Sequence, residues 1–343
     1  STQTVSATGV LVKGVYAAKG LFTKDDAESV AFTKTGNGTA SVKAGTVVEV
    51  NNTLINFESA TPVSMPTLNA GTDYAIYACG DGTAVADGNL SSTSNCTGGS
   101  RKIGGFHYAP GGNATGTSGG NTTPQINEYS FWDVKWRPAC KDPRGMTLVN
   151  DSFWVDIYLT GVDHHVNGTS KYNVTIADGS SPPKIPAAFG GNGTTTYATF
   201  MWYEANEVMQ SHGKELLSQG EFAAMAQGTT EASSGGTDPV STILREAYTS
   251  KYGVMLSTGN LWVWGRDFST RVDGTTTTWE WKTIPGGKGN AYTQGTYGLV
   301  AALLGGRWSD AALSGSRASA WNRYPWYSSS DIGARGRCDH VRL

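Results

Sequence analysis

Short apolar runs separated by turn-forming residues dominate residues 27–109. Runs of this length with Asn or Gly between them are typical of β-strands joined by tight turns. Turns are predicted at Gly36-Asn37 and Asn51-Asn52. The predicted strands are 30–32, 40–42, 47–50, 74–79 and 102–108, and a Gly/Asn/Thr-rich loop follows at 110–123. This spacing predicts a β-sandwich over residues 19–134, preceded by a short segment, residues 1–18.

The pattern changes after residue 134, where helical spacing appears among the strands. Apolar side chains at Trp202, Ala205, Val208 and Met209 predict a helix over 202–212. A second helix is predicted over 219–226, with Gly228 as its stop. A strand at 261–264 and a tail rich in Gly and Trp follow. The sequence therefore predicts an α+β protein, with a second domain over residues 135–343.

Composition and charge limit the partners. Charged residues make up 16% of the 343-residue chain, which carries 45 Gly, 11 Trp and 15 Tyr and a net charge of −2. Without clustered cations the chain lacks what phosphate binding needs, so nucleic acid is not an expected partner. No apolar stretch approaches about 20 residues, so no membrane insertion is expected, and the first residues do not resemble a signal peptide.

The reactive side chains do not form a recognisable catalytic pattern. None of the four cysteines forms a close metal-ligand pair, and free thiols are favoured over a Cys79–Cys96 bridge, which stays an alternative. His164 and His165 are interpreted as polar loop residues, and Asp339-His340 lacks a nucleophile elbow. The sequence therefore predicts no catalytic residue, no metal and no cofactor.

Four motifs in the second half resemble those of the C-type-lectin fold of the formylglycine-generating type. They are the segment 213–228, Leu-Trp-Val-Trp-Gly at 261–265, Gly-Gly-Arg-Trp at 305–308 and Gly-Ala-Arg-Gly at 333–336. Nearly everything after residue 25 also resembles the tropism-determinant family of Bordetella phage tail-fibre proteins. That resemblance is carried by residues 30–37, 71–77, 104–110, 125–130 and 171–179.

The resemblance implies a homotrimeric protein at the tail-fibre tip of a virion, with a β-sandwich followed by a C-type-lectin-like domain. It implies that a retroelement varies a C-terminal surface, about residues 305–338, which binds a bacterial surface receptor, expected to be a protein. The family has an N-terminal β-prism, which the short segment before the match would reduce or omit. A bacterial or prophage-encoded lectin-like surface protein is the alternative.

By resemblance, twelve positions would contact the receptor. They are Arg307, Ser309, Asp310, Ala311, Leu313, Ala320, Asn322, Arg323, Tyr327, Ser329, Asp331 and Ile332. Fixed scaffold positions lie between them, so substitutions at the exposed variable positions would cost little stability. The scaffold positions are Trp308, Gly315, Ser316, Arg317, Ala318, Gly333, Ala334, Arg335 and Gly336.

Without the family, residues 305–338 have two interpretations. Their Tyr, Trp, Ser and Asn content resembles an antibody paratope, but a polar surface strand with its turns would look similar. Tyr327, Arg307 and Arg323 are the expected energetic anchors, and Trp326 is expected in the core.

Two rival activities of the lectin fold have little support in the sequence. Calcium-dependent sugar binding would have only Asp310, Asn322 and Asp331 to draw on. Formylglycine-generating chemistry needs two close cysteines, whereas Cys140 and Cys338 are separated by most of the domain.

Overall fold

The computed structural model describes residues 19–270, 279–293 and 298–343, together with the backbone of two short strands at residues 5–6 and 9–10. The described chain is mostly strand and loop, with three α-helices. The expected α+β class is therefore correct to the extent that the fold contains both strands and helices. Strands greatly outnumber the helices. The expectation of a reduced prism concerns residues 1–18, nearly all of which lie outside the described residues.

The first half consists of short strands joined by turns and loops. The strands are β1 Val5–Ser6, β2 Gly9–Val10, β3 Phe22–Thr23, β4 Phe32–Gly36, β5 Thr39–Val42, β6 Thr46–Val50, β7 Thr53–Phe57, β8 Thr61–Ser64, β9 Thr72–Cys79, β10 Ala84–Asp87, β11 Ser100–Ala109, β12 Gln125–Ile126 and β13 Trp132–Asp133. The predicted strands are all present, within a few residues of their predicted bounds.

Two sheets of the first half share one core. Eight strands form a sheet in the order β12-β11-β9-β10-β8-β5-β4, with β13 paired to β11, while β3, β6 and β7 form a smaller sheet. Phe32, Val48, Ile76, Ile103 and Phe106 are buried together among the side chains of this core. Removal of these apolar faces from water holds the two sheets together.

Both predicted turns are present, and the cysteine expectation is corrected. Asn51 and Asn52 have φ of 48° and 66°, a left-handed conformation that Asn tolerates in hairpin turns. Cys79 and Cys96 form a disulfide, with their Cα atoms 5.1 Å apart. Free thiols were therefore the wrong expectation for this pair. The irregular loop that carries Cys96 folds back onto the end of β9, where the Gly80 N–H donates to the Gly99 carbonyl at 3.0 Å.

The second half mixes strands with three α-helices. The elements are β14 Trp136–Pro138, β15 Met146–Val149, β16 Phe153–Asp156, α1 His164–Asn167, α2 Trp202–Ser211, β17 Glu215–Leu216, α3 Gln219–Met225, β18 Trp262–Ser269, β19 Glu280–Thr283, β20 Asn290–Thr293, β21 Val300–Leu304, β22 Ser319–Arg323, β23 Ile332–Gly333 and β24 Gly336–Arg342.

These strands form two further sheets. One has the order β14-β24-β16-β15, with β17 also paired to β24, and the other has the order β19-β20-β22-β21-β18-β23. Since β24 pairs with β14, the last strand of the chain returns to the strand that begins the second half. The start and end of this half therefore meet in one sheet.

The two predicted helices are confirmed. In α3, the Ser218 hydroxyl accepts the Glu221 N–H at 3.2 Å, and the Glu221 carboxylate accepts the Ser218 N–H at 2.8 Å. This capping box satisfies two backbone donors that the helix itself cannot. Gly228, with φ of 90°, follows the helix as predicted. Phe222 and Met225 are the buried side chains of α3.

Three side chains that were expected to be polar or distant from each other are buried beside partner residues. His164 is 1% exposed, not a polar loop residue: its Nδ1 lies 2.9 Å from His212 Nε2, and its Nε2 lies 2.7 Å from the Lys184 carbonyl oxygen. Cys140 and Cys338 lie in one buried cluster, despite their separation in the sequence. The distance in sequence was therefore no measure of the distance in space. Within the described residues, no helix is long and apolar enough to cross a membrane.

Candidate functional site

The six-stranded sheet carries a pocket of about 220 Å³. Buried apolar side chains from four strands form its base: Trp262 of β18, Leu303 of β21, Ala320 of β22 and Ile332 of β23. These side chains are between 1% and 6% exposed. Because the sheet itself supplies this lining, the pocket has a rigid base.

Polar side chains from three consecutive segments surround this base. The turn after β21 contributes two, the end of β22 contributes two, and the segment between β22 and β23 contributes three. They are Arg307, Asp310, Asn322, Arg323, Tyr327, Ser329 and Asp331.

Arg307 is held between two carboxylates. Its Nε donates to Asp310 at 3.1 Å, and its Nη1 donates to Asp331. Partial burial works against the charge, but the hydrogen bond to Asp331 and the two negative charges raise the pKa of Arg307 above its ordinary value. The guanidinium is therefore charged and already oriented before any ligand arrives.

Aromatic side chains extend the site beyond the pocket. The Arg323 guanidinium lies 4.4 Å from the Tyr327 ring centre, a cation–π contact. Tyr324 stacks on Trp326 with ring centres 4.9 Å apart, and these side chains are 43% and 60% exposed. Trp326 was expected in the core, and this was wrong. A tryptophan in an irregular segment has no periodic neighbours from which its burial could be inferred.

Arg335 anchors the segment that follows the pocket. It is fully buried, and its guanidinium donates to the carbonyls of Asp156 and Ile157, at 2.8 and 2.7 Å, and of Met255, at 2.7 Å. Burial lowers its pKa to about 9, so it stays charged at neutral pH. One side chain thus holds two separate stretches of backbone, at residues 156–157 and 255–256.

The segment 315–318 is held by a residue that the sequence did not indicate. Glu231 accepts the Ser316 N–H at 2.8 Å and the Ser316 hydroxyl at 2.6 Å, and Lys288 donates to it at 3.1 Å. Glu231 lies in a Ser/Gly-rich loop, so no motif marks it. Arg317 differs from the expected scaffold pattern: its side chain is exposed, and its N–H donates to the Lys288 carbonyl at 2.9 Å.

The Gly-Gly pair before the site is required by backbone geometry. Gly305 and Gly306 have φ of 94° and 86°. A Cβ atom on Gly305 would lie 2.6 Å from Phe222, and one on Gly306 would lie 2.3 Å from Ser314. Larger residues would be both strained and overpacked here.

Nine of the twelve predicted receptor-contact residues line the pocket. They are Arg307, Asp310, Ala320, Asn322, Arg323, Tyr327, Ser329, Asp331 and Ile332. Ser309 and Ala311 are exposed and Leu313 is half-buried, in or beside the 3₁₀ turn Ala311–Leu313. Ala320, Asp331 and Ile332 are buried, so the expected tolerance of exposed positions to substitution does not extend to these three.

Four pocket-lining residues were missed by the sequence interpretation: Trp262, Trp281, Tyr292 and Leu303. Trp262 lies in the Leu-Trp-Val-Trp motif, which indicated the fold but not a place in the pocket. Trp281 and Tyr292 pair across β19 and β20 with ring centres 4.8 Å apart. Among the residues that the structure describes, no three His, Cys, Asp or Glu side chains form a group that could hold a metal ion.

Known proteins match this chain over nearly its whole length. A family model described as the Mtd second domain matches residues 30–133. The tail fiber receptor-binding protein of Bordetella phage BPP-1 is 53% identical over 335 residues, which cover 95% of this chain and 86% of that protein. The structure of the Major Tropism Determinant U1 variant aligns with a TM-score of 0.87 at 50% identity, covering 98% of this chain and 90% of the other. The M1 variant aligns with the same TM-score at 51% identity, covering 98% and 89%.

Proposed function

This chain belongs to the family of the major tropism determinants, the receptor-binding proteins of phage tail fibres, and from that membership we propose that the pocket of its six-stranded sheet is the receptor-binding surface. The protein is a phage receptor-binding protein that determines host tropism, and it is located at the tail fibre of the virion. We propose the residues that contact the receptor and the chemical class of that receptor from the geometry of the pocket.

The observation that carries the proposal is the convergence of positions that lie apart in the sequence. Positions between 307 and 332 come from a turn, a strand and an irregular segment, yet nine of the twelve line one pocket. Their frame includes Arg335, with its hydrogen bonds to two backbone stretches, and Glu231, which holds Ser316. Side chains at the pocket can therefore be substituted while the backbone conformation stays the same.

The shape and chemistry of the site favour a protein receptor. A pocket of about 220 Å³ is smaller than the roughly 300–1,000 Å³ typical of small-molecule sites. Exposed Trp326 and Tyr324 and the Arg323–Tyr327 pair lie beside it, and Trp, Tyr and Arg are enriched at the energetic centres of protein interfaces. We expect one receptor side chain to enter the pocket while the aromatic rings cover the surface around it.

We propose that the twelve positions vary between versions of this protein by retroelement diversification. The burial of Ala320 and Ile332 then limits what those two positions accept, because larger side chains there would displace the neighbouring strands. Ser309, which is exposed, would accept a wider range, whereas the positive φ of 46° at Ala311 disfavours β-branched side chains there.

We further propose a homotrimer in which three sites act together. Three linked contacts would multiply a modest single-site affinity, because the second and third contacts become intramolecular. We interpret residues 19–134 as a β-sandwich domain and residues 135–343 as a C-type-lectin-like domain. Support comes from the sheets, since no strand of the first half pairs with a strand of the second among the described residues.

The protein is proposed to bind without catalysis. The two carboxylates of the pocket, Asp310 and Asp331, both hold Arg307, so their evident role is to orient that side chain. The named relatives are receptor-binding proteins.

The test is binding of the fluorescently labelled, purified protein to a panel of bacterial strains that includes Bordetella. We expect saturable binding to at least one strain, which is lost when the cells are treated with protease and retained when surface glycans are oxidised with periodate. Loss after periodate alone would overturn the protein-receptor assignment.

A double substitution in the pocket tests whether this surface binds the receptor. Arg323→Ala combined with Tyr327→Ala should abolish the saturable binding, whereas Lys43→Ala in the first half should leave it unchanged. If the double variant binds as well as the original protein, the receptor-binding surface lies elsewhere.

A further inference from the structure

Cys140 and Cys338 occupy facing positions on neighbouring strands. Pro138 of β14 pairs with His340 of β24, and the Ala139 N–H donates to the Asp339 carbonyl at 2.9 Å. Continuing the same antiparallel register by one residue puts Cys140 opposite Cys338. Both side chains belong to one buried cluster.

This register suits a covalent link between the two sulfurs. Because Ala139 and Asp339 form a hydrogen-bonded pair, the next pair is of the non-hydrogen-bonded kind, in which Cα atoms lie about 4.5 Å apart and side chains are closer. Disulfides span Cα distances of about 4.4–6.8 Å. The backbone therefore needs little movement to accept a bond.

The surroundings of the pair leave one side open to a reagent. Cys140 and Cys338 are only 3% and 4% exposed, and the Cys140 sulfur lies 3.4 Å from the Met146 sulfur. Cys140 nevertheless lines a cleft of about 830 Å³, which shares no residue with the receptor pocket. The hydrogen bond from Cys140 and the nearby Lys214 ammonium lower the pKa of the Cys338 thiol against the opposing effect of burial. Cys338 is therefore the thiol of the pair that ionises first, since the contact with Cys338 and burial raise the pKa of Cys140.

We propose that Cys140 and Cys338 form a second disulfide by exchange with a small-molecule disulfide such as oxidised glutathione. One sulfur of the pair attacks the reagent as a thiolate, breaks its S–S bond, forms a mixed disulfide and releases one thiolate. The other sulfur then attacks the protein sulfur of the mixed disulfide and releases the second thiolate. The two cysteine protons end on the two released thiols, and two electrons pass from the cysteines to the reagent.

The bond would tie the last strand to the start of the second half. The chain loop closed by this bond would contain nearly the whole of the second half, including the receptor pocket. Cys338 lies near the start of β24, only a short turn after the pocket residue Ile332. A cross-link across so long a loop restricts the unfolded chain strongly. The bond would stabilise the backbone around the receptor pocket once the virion leaves the reducing cell.

The test begins with the unaltered protein. After incubation with oxidised glutathione, unreacted thiols are blocked under denaturing conditions, and the disulfide-linked peptides are mapped by mass spectrometry. We expect a peptide pair that joins Cys140 to Cys338, in addition to the pair that joins Cys79 to Cys96. Two blocked thiols at positions 140 and 338, a stable glutathione adduct on either cysteine, or a link from either to Cys79 or Cys96 would each overturn the proposal.

Stability provides an independent measurement. Oxidation should raise the melting temperature by roughly 5–10 °C in a Cys79→Ser/Cys96→Ser variant, and reductant should reverse the rise. A Cys140→Ser/Cys338→Ser variant, which keeps the first disulfide, should show no such rise when oxidised glutathione is added to the purified, already Cys79–Cys96-bonded protein. Equal rises in both variants would overturn the assignment.

Discussion

Trp326 and Tyr324 have an unusual environment for large aromatic residues. They stack on each other, yet 60% and 43% of their surfaces remain in contact with solvent. Tyr327, three residues from Tyr324, instead packs against a buried cluster that includes Trp262 and Leu303. The stability of the fold therefore depends more on Tyr327, and Trp326 has most of its apolar area available to a partner.

We predict that Trp326→Ala weakens binding to receptor-bearing cells by about tenfold or more, because interface tryptophans commonly contribute at least about 1.4 kcal/mol. The melting temperature should stay within about 1 °C, since most of the side chain makes no intramolecular contact. Binding isotherms on whole cells and thermal denaturation measure the two effects. Leu54→Ala, at a 38% exposed side chain on β7, is the matched control and should change neither. Unaltered affinity of the Trp326 variant would remove this residue from the contact surface.

At the level of elements, α1 is joined to the segment after α2 by two histidines, the buried His164 and the half-buried His212. His164, the first residue of α1, has hydrogen-bonding contacts with His212 and the Lys184 carbonyl, so both rings fit their partners when neutral. Burial and the neighbouring charges of His164 and Lys214 lower the pKa of His212 to about 4, against the opposing effect of Asp156 and Asp142. Burial also lowers the pKa of His164.

This pair should make the fold sensitive to acid. The pKa of His212 is lower in the folded protein than the ordinary value of 6.5, so its contribution to stability is complete above about pH 6.5 and is lost as the pH falls towards 4. His212→Gln should reduce the loss of unfolding free energy over this range by on the order of 1–2 kcal/mol. Denaturant titrations at intervals from pH 7.5 to 4.5 measure it. His165→Gln, an exposed neighbour of His164, should retain the original slope. The same slope in the His212 variant would contradict the assignment.

Over the whole molecule, two regions with separate cores are joined by buried polar side chains. His107 of β11 lies 3.0 Å from Asp73 and 2.9 Å from the Tyr158 hydroxyl, and Asp73 also accepts the Gly145 N–H at 2.8 Å. Asp133 accepts from Lys24 on one side, at 2.9 Å, and from the Trp136 N–H on the other, at 2.8 Å. Buried polar groups are costly when unpaired, so these contacts specify one arrangement of the two regions.

Tyr158→Phe tests this junction. Removal of the hydroxyl leaves His107 without that partner in a buried site, and we expect the unfolding free energy to fall by about 1–3 kcal/mol. Chemical denaturation monitored by tryptophan fluorescence measures the change. Tyr203→Phe, at an exposed tyrosine, should cost less than about 0.5 kcal/mol. Comparable effects of the two substitutions would show that the junction contributes little.

Local pattern was sufficient for the regular elements. The strands around Val48 and Ile76, the turn at Asn51-Asn52 and the helix ending before Gly228 all depend on periodicity and turn chemistry between residues close in the chain. The resemblance to the tropism-determinant family then predicted a receptor-contacting segment at about residues 305–338, and the structure brings nine of its twelve predicted positions to one pocket.

Only the tertiary structure decided which distant residues meet. The Cys79–Cys96 bond, the facing Cys140 and Cys338, and the support of Ser316 by Glu231 all join residues whose separation in sequence carries no information about distance. It also decided that Trp326 is exposed while Ile332 is buried. Burial of a side chain in an irregular segment depends on what packs over it, and that neighbour comes from elsewhere in the chain. Sequence periodicity therefore determined the elements of this protein, and long-range packing determined which residues line the pocket proposed to bind the receptor.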